Sequence, residues 1–349
     1  MLTRLQILRG FAAYMVVLLH WGDVVRAETD YFVPMNNLGN FGVDLFFVVS
    51  GFVMVYVAGR KASPGRFIFE RIARIVPLYW IATLAIVAAQ AFRPWLFAKS
   101  LVTPETILSS LFFIPADNAV GSLEPILFVG WTLNLEMVFY ALFALSMFGP
   151  KAWRVPLVLG LITIVYAIGV MFSADHVISF YGNPILFEFA AGCVLGSLVT
   201  EPTRFPALSR LSGWAYIAAG LALLVANEFF LPSFDNRFIR WGIPASLIVT
   251  GVIVLDLKQP IKPAGLLVSL GDSSYSAYLL HWFVLAACSL LIMPLMGGSL
   301  IGVILTYPVV IGITALLSTF SYRLIEIPAR DFLRRRFPPK RTKAIAETG

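Results

Sequence analysis

Most of this chain is cut into predominantly apolar blocks of about 18–22 residues, the length a helix needs to cross a hydrocarbon core. Lipid offers the backbone no hydrogen-bond partner, so such blocks must be helices that satisfy their own amides. Blocks and breakers place about ten of them, over residues 5–25, 40–58, 72–92, 128–148, 153–173, 183–199, 213–231, 239–256, 274–294 and 300–322. Residues 108–114 are apolar but too short to cross and read as a re-entrant or surface segment. The expected fold class is an all-α integral membrane protein, a bundle of about ten transmembrane helices. With no internal repeat and no low-complexity linker, residues 1–330 read as one transmembrane domain.

Charge placement supports this reading and orients it. The net charge of +7 and the isoelectric point near 9.5 raise nucleic acid as a partner. The basic residues flank apolar blocks, however, as the positive-inside rule describes, and nucleic acid is set aside. With the N-terminus inside, twenty-one of the twenty-six Lys and Arg fall on the inner side, leaving Arg26, Arg93, Lys99, Arg237 and Arg240 outside. Both termini are therefore expected in the cytoplasm, in a multi-pass plasma membrane (the bacterial inner membrane). Residues 331–349 read as a basic, disordered cytoplasmic tail drawn to an anionic leaflet. Arg9 interrupts the first apolar block and no small-residue cleavage site follows it, so that block does not read as a cleaved signal. Cys193 and Cys288 sit inside apolar blocks and read as small core residues, while Gly192 and Gly196 suit close helix packing.

Ionisable groups inside membrane helices are costly and by default mark a paired or functional site. Arg9 and His20 are eleven residues apart, which brings both to one helix face about 16 Å apart. Snorkelling of Arg9 and end-capping by His20 would explain the same pair. Asp44 stands among aromatics at the outer end of the second span, and His20 is its nearest candidate partner. An ordinary helix-end acid fits equally there. Arg71 and Arg74 share a face at i, i+3 and suit a phosphate, though topology alone would also place arginines there. Glu136 lies well inside the fourth span with no basic residue on its own helix, and is the hardest to explain structurally. Tyr275, Tyr278 and His281 form a polar-aromatic stripe, and Arg323 and Glu326 suit a local ion pair. Depth along the spans sorts Arg9, Arg71, Arg74 and His281 to the cytoplasmic side and His20, Asp44 and Glu136 to the outer side. A basic inner site and a His/carboxylate outer site suggest a phosphate-bearing cytoplasmic donor. No phosphate-binding glycine loop, zinc spacing or Gly-x-Ser-x-Gly elbow competes with it.

Taken in order, several segments resemble the membrane-bound acyltransferase 3 family across nearly the whole chain. They are Leu8-Arg9-Gly10 to His20, Gly42-Val43-Asp44 through Ser50-Gly51-Phe52, and Arg71 with Pro77 and Tyr79. Trp131-Thr132-Leu133-Asn134-Leu135-Glu136, Tyr278-Leu279-Leu280-His281 and Tyr322-Arg323-Leu324-Ile325-Glu326 complete the series. The resemblance implies an acyl-CoA donor, commonly acetyl-CoA, and transfer to a sugar hydroxyl on an extracytoplasmic or lipid-linked glycan. It implies catalytic roles for Arg9, His20 and Glu136, with Asp44 beside them, and a donor-binding arginine pair at Arg71 and Arg74, followed by Tyr79. Trp131, Tyr278, His281 and Glu326 would support the substrate or the site. Thr132 and Asn134 depart from the serines common in the family, which leaves the acceptor pocket open. The chain most resembles stand-alone exopolysaccharide-modifying members, with the lipid bilayer, a carbohydrate acceptor and the polysaccharide synthesis machinery as partners. No metal is expected. In this reading His20 is a general base on the acceptor hydroxyl, tuned by Glu136 or Asp44, or alternatively forms an acyl-histidine. A glycan transporter or flippase would use the same intramembrane polar groups, but lacks support from internal repeats.

Overall fold

A computed structural model describes residues 2–31, 39–58, 63–93, 97, 100–117, 121–201, 203–230, 236–262, 265–296 and 299–337. Regular structure among them is entirely helical. The helices are α1 (Thr3–Glu28), α2 (Phe41–Ala58), α3 (Pro64–Phe92), α4 (Pro104–Leu111), α5 (Trp131–Ser146), α6 (Arg154–Met171), α7 (His176–Tyr181) and α8 (Leu186–Thr200). They continue with α9 (Phe205–Leu208), α10 (Gly213–Phe230), α11 (Ile243–Lys258), α12 (Leu266–Asp272), α13 (Ser274–Leu291), α14 (Leu300–Ser321) and α15 (Ile327–Arg336). Among the described residues, nine helical segments are long and apolar enough to cross a membrane, and Phe41–Val57 is a shorter apolar helix.

The elements end where local chemistry dictates. Ser63 accepts from the Arg66 amide and Pro64 occupies the first turn, so α3 begins eight residues before the expected boundary at 72. Arg71 and Arg74 therefore sit inside a helix, two turns past its start. Thr103 and Thr106 cap α4 reciprocally, and Leu108, Phe112 and Ile114, in the segment expected to be re-entrant or at the surface, are exposed. The tail expected to be disordered from 331 begins inside α15; residues 338–349 and the cations Arg60, Lys61 and Lys99 lie outside the described residues.

Helices α6, α10 and α14 keep most of their apolar surface outside the protein, with Phe229, Phe230, Ile301 and Leu316 among the most exposed residues. Such a surface suits lipid and no aqueous solvent. The interior instead packs backbone against backbone. On the α2–α8 seam, a Cβ at Gly51 would lie 2.1 Å from the Phe189 carbonyl oxygen, and one at Gly192 2.1 Å from that of Val48. Only glycine permits that approach, the small-residue contact by which membrane helices associate. Cys193 on the same seam and Cys288 on α13 are both buried thiols.

Candidate active site

Five helices enclose one polar cavity. Arg9 reaches it from α1, Phe46 and Ser50 from α2, Arg71 and Arg74 from α3, Thr132, Glu136 and Tyr140 from α5, and Tyr275 and Tyr278 from α13. The empty space between these side chains, with open solvent included, is about 770 Å³. Glu136 is anchored on one oxygen: Ser50 Oγ donates to Oε1 at 3.0 Å, and the Tyr140 hydroxyl donates to the same atom. Tyr278 is fixed above it, its hydroxyl 2.8 Å from Thr132 Oγ1 and donating to the Val129 carbonyl at 2.9 Å. The Tyr275 hydroxyl donates to the Ile75 carbonyl of α3.

The three arginines are less well provided for. Arg9 donates to Gln6 Oε1 at 3.0 Å, and Gln6 in turn donates to Asp272. The Arg71 guanidinium lies over the Phe67 ring, and its buried Nε has no hydrogen-bond partner. Among the described residues, no carboxylate lies within ion-pair distance of Arg9, Arg71 or Arg74. Three guanidinium groups stand against Glu136, the carboxylate that lines the cavity, and Glu326 beside Arg9 and Arg74; the remaining positive charge favours an anion such as phosphate.

The histidine expected to join Glu136 is elsewhere. His20 Nδ1 is 2.9 Å from His281 Nε2, and Phe128 and Trp282 each present an edge to the His20 ring. No hydrogen bond or ion pair joins His20 to Asp44 or Glu136 among the described residues. The expected depth map therefore needs two corrections: Glu136 belongs with the arginines, and His281 belongs with His20. The cause lies in where α13 starts. The α12 turn is pressed against α1, with a Cβ at Gly10 only 3.0 Å from the Gly271 amide nitrogen. Helix α13 thus begins level with Gly10, two turns into α1. Ten residues on from each glycine, along neighbouring stretches of chain, His20 and His281 meet. On α13, Tyr275, Tyr278 and His281 follow one another at i, i+3 spacing and lead from the charged cavity to the histidine pair; the Tyr278 and His281 rings are 6.1 Å apart.

Asp44 also has a different partner. Its fully buried carboxylate receives Arg237 Nε and Nη2 at 2.9 and 2.8 Å, and Arg237 donates as well to the Asn40 carbonyl. The Arg237 guanidinium lies over Trp241 and near Trp131. Glu188 of α8, fully buried without a hydrogen bond to either oxygen, neighbours this pair. Sequence reasoning passed over both Arg237, assigned to an outer loop, and Glu188; a carboxylate in the middle of an apolar block was the available signal. Of the other candidate residues, Tyr79 is fully buried against Phe113 and does not line the cavity, and Trp131 stands at the Asp44–Arg237 pair. Glu326 accepts from Ser276 Oγ and makes no ion pair with Arg323: the last turn of this region is a π-helix, Tyr322–Glu326, which breaks the spacing on which that pair was based.

An apolar helical shell thus surrounds a cavity with three arginines and an anchored carboxylate, with a histidine pair nearby. The chain belongs to the acyltransferase 3 family: the model of its acyltransferase domain matches residues 2–323. It is 41% identical to the exopolysaccharide production protein ExoZ of Rhizobium meliloti over 71% of this chain and 77% of that protein. BcsY of Komagataeibacter xylinus is 30% identical over 93% of this chain and 82% of its own length. The O-acetyltransferase OatA of Staphylococcus aureus is 24% identical over 89% of this chain and 56% of OatA. No solved structure matches. The protein is thus an acyltransferase.

Proposed function

We propose that the enzyme transfers an acetyl group from cytoplasmic acetyl-CoA to a hydroxyl of an extracytoplasmic or lipid-linked glycan such as an exopolysaccharide. The names of ExoZ and OatA support the acceptor and acyl classes. The observation that carries the reading is on α1: one helix puts Arg9 into the cationic cavity and His20 about three turns further on, about 16 Å away. A phosphopantetheine arm is long enough to span that interval. Arg71, Arg74 and Arg9 would hold the donor phosphates, with the thioester drawn along the Tyr275–Tyr278 wall toward His20. Both termini then lie in the cytoplasm, ten helices crossing the inner membrane, with Phe41–Val57 as the shortest.

In the reaction the acceptor oxygen attacks the thioester carbonyl carbon while its proton passes to His20 Nε2. The carbonyl electrons move to oxygen and return as the carbon–sulfur bond breaks. The CoA sulfur leaves as thiolate and takes a proton, and the ester remains on the glycan. Asp44 has both oxygens bonded to Arg237 and serves this scheme through the fold.

His20→Ala should lower ester formation by about 10²–10⁴-fold, the usual worth of a general base, while membrane insertion and acetyl-CoA binding persist. Ester content of the exopolysaccharide, measured beside donor binding by purified protein, decides it; normal esters would remove His20 from the chemistry. Reporters fused at Ser63 and Asp117 should read cytoplasmic and extracytoplasmic, and the reverse would overturn the donor side.

A further inference from the structure

The histidine pair carries more information than proximity. His281 is fully buried on α13, and its Nδ1 lies 3.2 Å from the Ala277 carbonyl oxygen one turn back. A carbonyl oxygen only accepts, so that ring nitrogen holds a proton. A second proton on His281 would make it a cation with no carboxylate against it among the described residues, in a fully buried position where such a charge is costly. Its Nε2 is therefore a lone pair. His20 Nδ1 stands 2.9 Å from that lone pair, and two nitrogens at this distance need one proton between them. It must come from His20.

The ring geometry agrees. The two imidazoles are within 4° of parallel, with centroids 5.2 Å apart. That separation exceeds the nitrogen–nitrogen distance by about the reach from each centroid to its own nitrogen. The rings thus meet edge to edge, and the His281 lone pair, which lies in its ring plane, points at the His20 N–H. His20 keeps some accessible surface whereas His281 has none.

We propose that His281 is a positioning residue that fixes the tautomer of His20: it holds the His20 proton on Nδ1 and leaves Nε2 as the free lone pair. The chain of direction runs from the α13 backbone through both rings. The Ala277 carbonyl sets His281, and His281 sets His20, much as a second group orients a catalytic histidine elsewhere. The assignment rests on His20 acting as the base. It adds that the base is prepared by another histidine and not by Asp44 or Glu136.

The chain has three histidines, His20, His176 and His281, so ring-¹⁵N labelling of the full-length protein in lipid nanodiscs gives few enough signals to assign, using His176→Asn and His20→Asn. At neutral pH wild-type His20 should show a protonated Nδ1 and an unprotonated Nε2, coupled through the hydrogen bond to His281. His281→Leu removes the acceptor, so the His20 proton should move largely to Nε2, the form free histidine prefers. Turnover of acetyl-CoA with de-esterified exopolysaccharide should then fall about 10–1,000-fold with the KM for acetyl-CoA little changed, as expected for a wrong-tautomer base. His281→Gln, whose amide oxygen can accept, should retain more turnover than His281→Leu. A wild-type His20 protonated on Nε2, or an Nδ1 proton that persists in His281→Leu, overturns the proposal. Since the wild-type spectrum is read without any assay, failure here is separate from failure of His20 as base, which His20→Ala reports.

Discussion

Two groups of buried charge sit a short way apart in this bundle and are built on opposite plans. In the Asp44–Arg237 cluster the cation is consumed: both carboxylate oxygens of Asp44 are bonded to it, a backbone carbonyl takes another N–H, and Trp241 covers its face. In the cavity, Arg9, Arg71 and Arg74 have among them one side-chain amide oxygen and no paired carboxylate. Both sets stand within apolar helices, so each must offset a desolvation cost. The first does so for Asp44, tying the start of α2 to the π-turn Phe238–Gly242 that leads into α11, while Glu188 stays buried beside it. The second stays open to a cavity where a ligand or water can approach. The contrast teaches that an ionisable residue in a membrane helix is diagnostic only with its partner: paired charges hold helices together, and unpaired ones await something.

Breaking the paired set should have the largest effect on the fold. Arg237→Leu leaves Asp44 and Glu188 buried with no cation, and a buried pair that loses one member typically costs about 3–5 kcal/mol. Thermal unfolding in detergent and the amount of protein in the membrane measure it. Stability unchanged within about 1 kcal/mol would mean that water already reaches Asp44 and that the clamp is weak.

The open set should respond in the opposite manner. Arg71→Ala or Arg74→Ala should leave the melting temperature close to wild type, since neither side chain has an ion pair to lose. Affinity for acetyl-CoA should fall by about 10–100-fold, the worth of one charged hydrogen bond to phosphate. Lysine at either position should restore only part of it, because a point charge lacks the forked geometry of guanidinium. Normal donor affinity in both alanine variants would leave these arginines as topology signals.

Much of this was legible from residue order alone. Apolar block length gave the helices, because lipid forces backbone self-satisfaction wherever a block is long enough. The i, i+3 spacing brought Arg71 and Arg74 to one wall, and the eleven-residue interval brought Arg9 and His20 onto one helix. Partners across helices were not legible. From sequence, Asp44 reads equally as a partner of His20, at a similar depth, or as an ordinary helix-end acid, yet its partner Arg237 is 193 positions away, outside any apolar block. Depth counted from a span's end also failed for His281, since α13 starts inside the bundle where α12 meets Gly10. Pairings of this kind depend on which helix faces which, and that is set by close contacts such as Gly51–Phe189 that leave little trace in hydropathy.

The smallest expected effect is the one that isolates the two plans most cleanly. Replacing the whole paired set at once, Asp44→Leu with Glu188→Leu and Arg237→Met, removes every charge together and leaves no member buried alone. Substituting a buried ionic group by apolar residues of similar volume is often neutral or stabilising, within about 1–4 kcal/mol. The triple variant should therefore be far closer to wild type in thermal stability than Arg237→Leu alone, and glycan ester levels should be retained within a few-fold. Some loss is expected because Asn40 gives up the hydrogen bond that Arg237 donates to its carbonyl. The decisive outcome is dissociation of the two readouts. A triple variant that is stable, inserted and able to bind acetyl-CoA, yet makes no ester, would show that Asp44 or its neighbours take part in transfer. The division between a clamp and a working cavity would then be wrong.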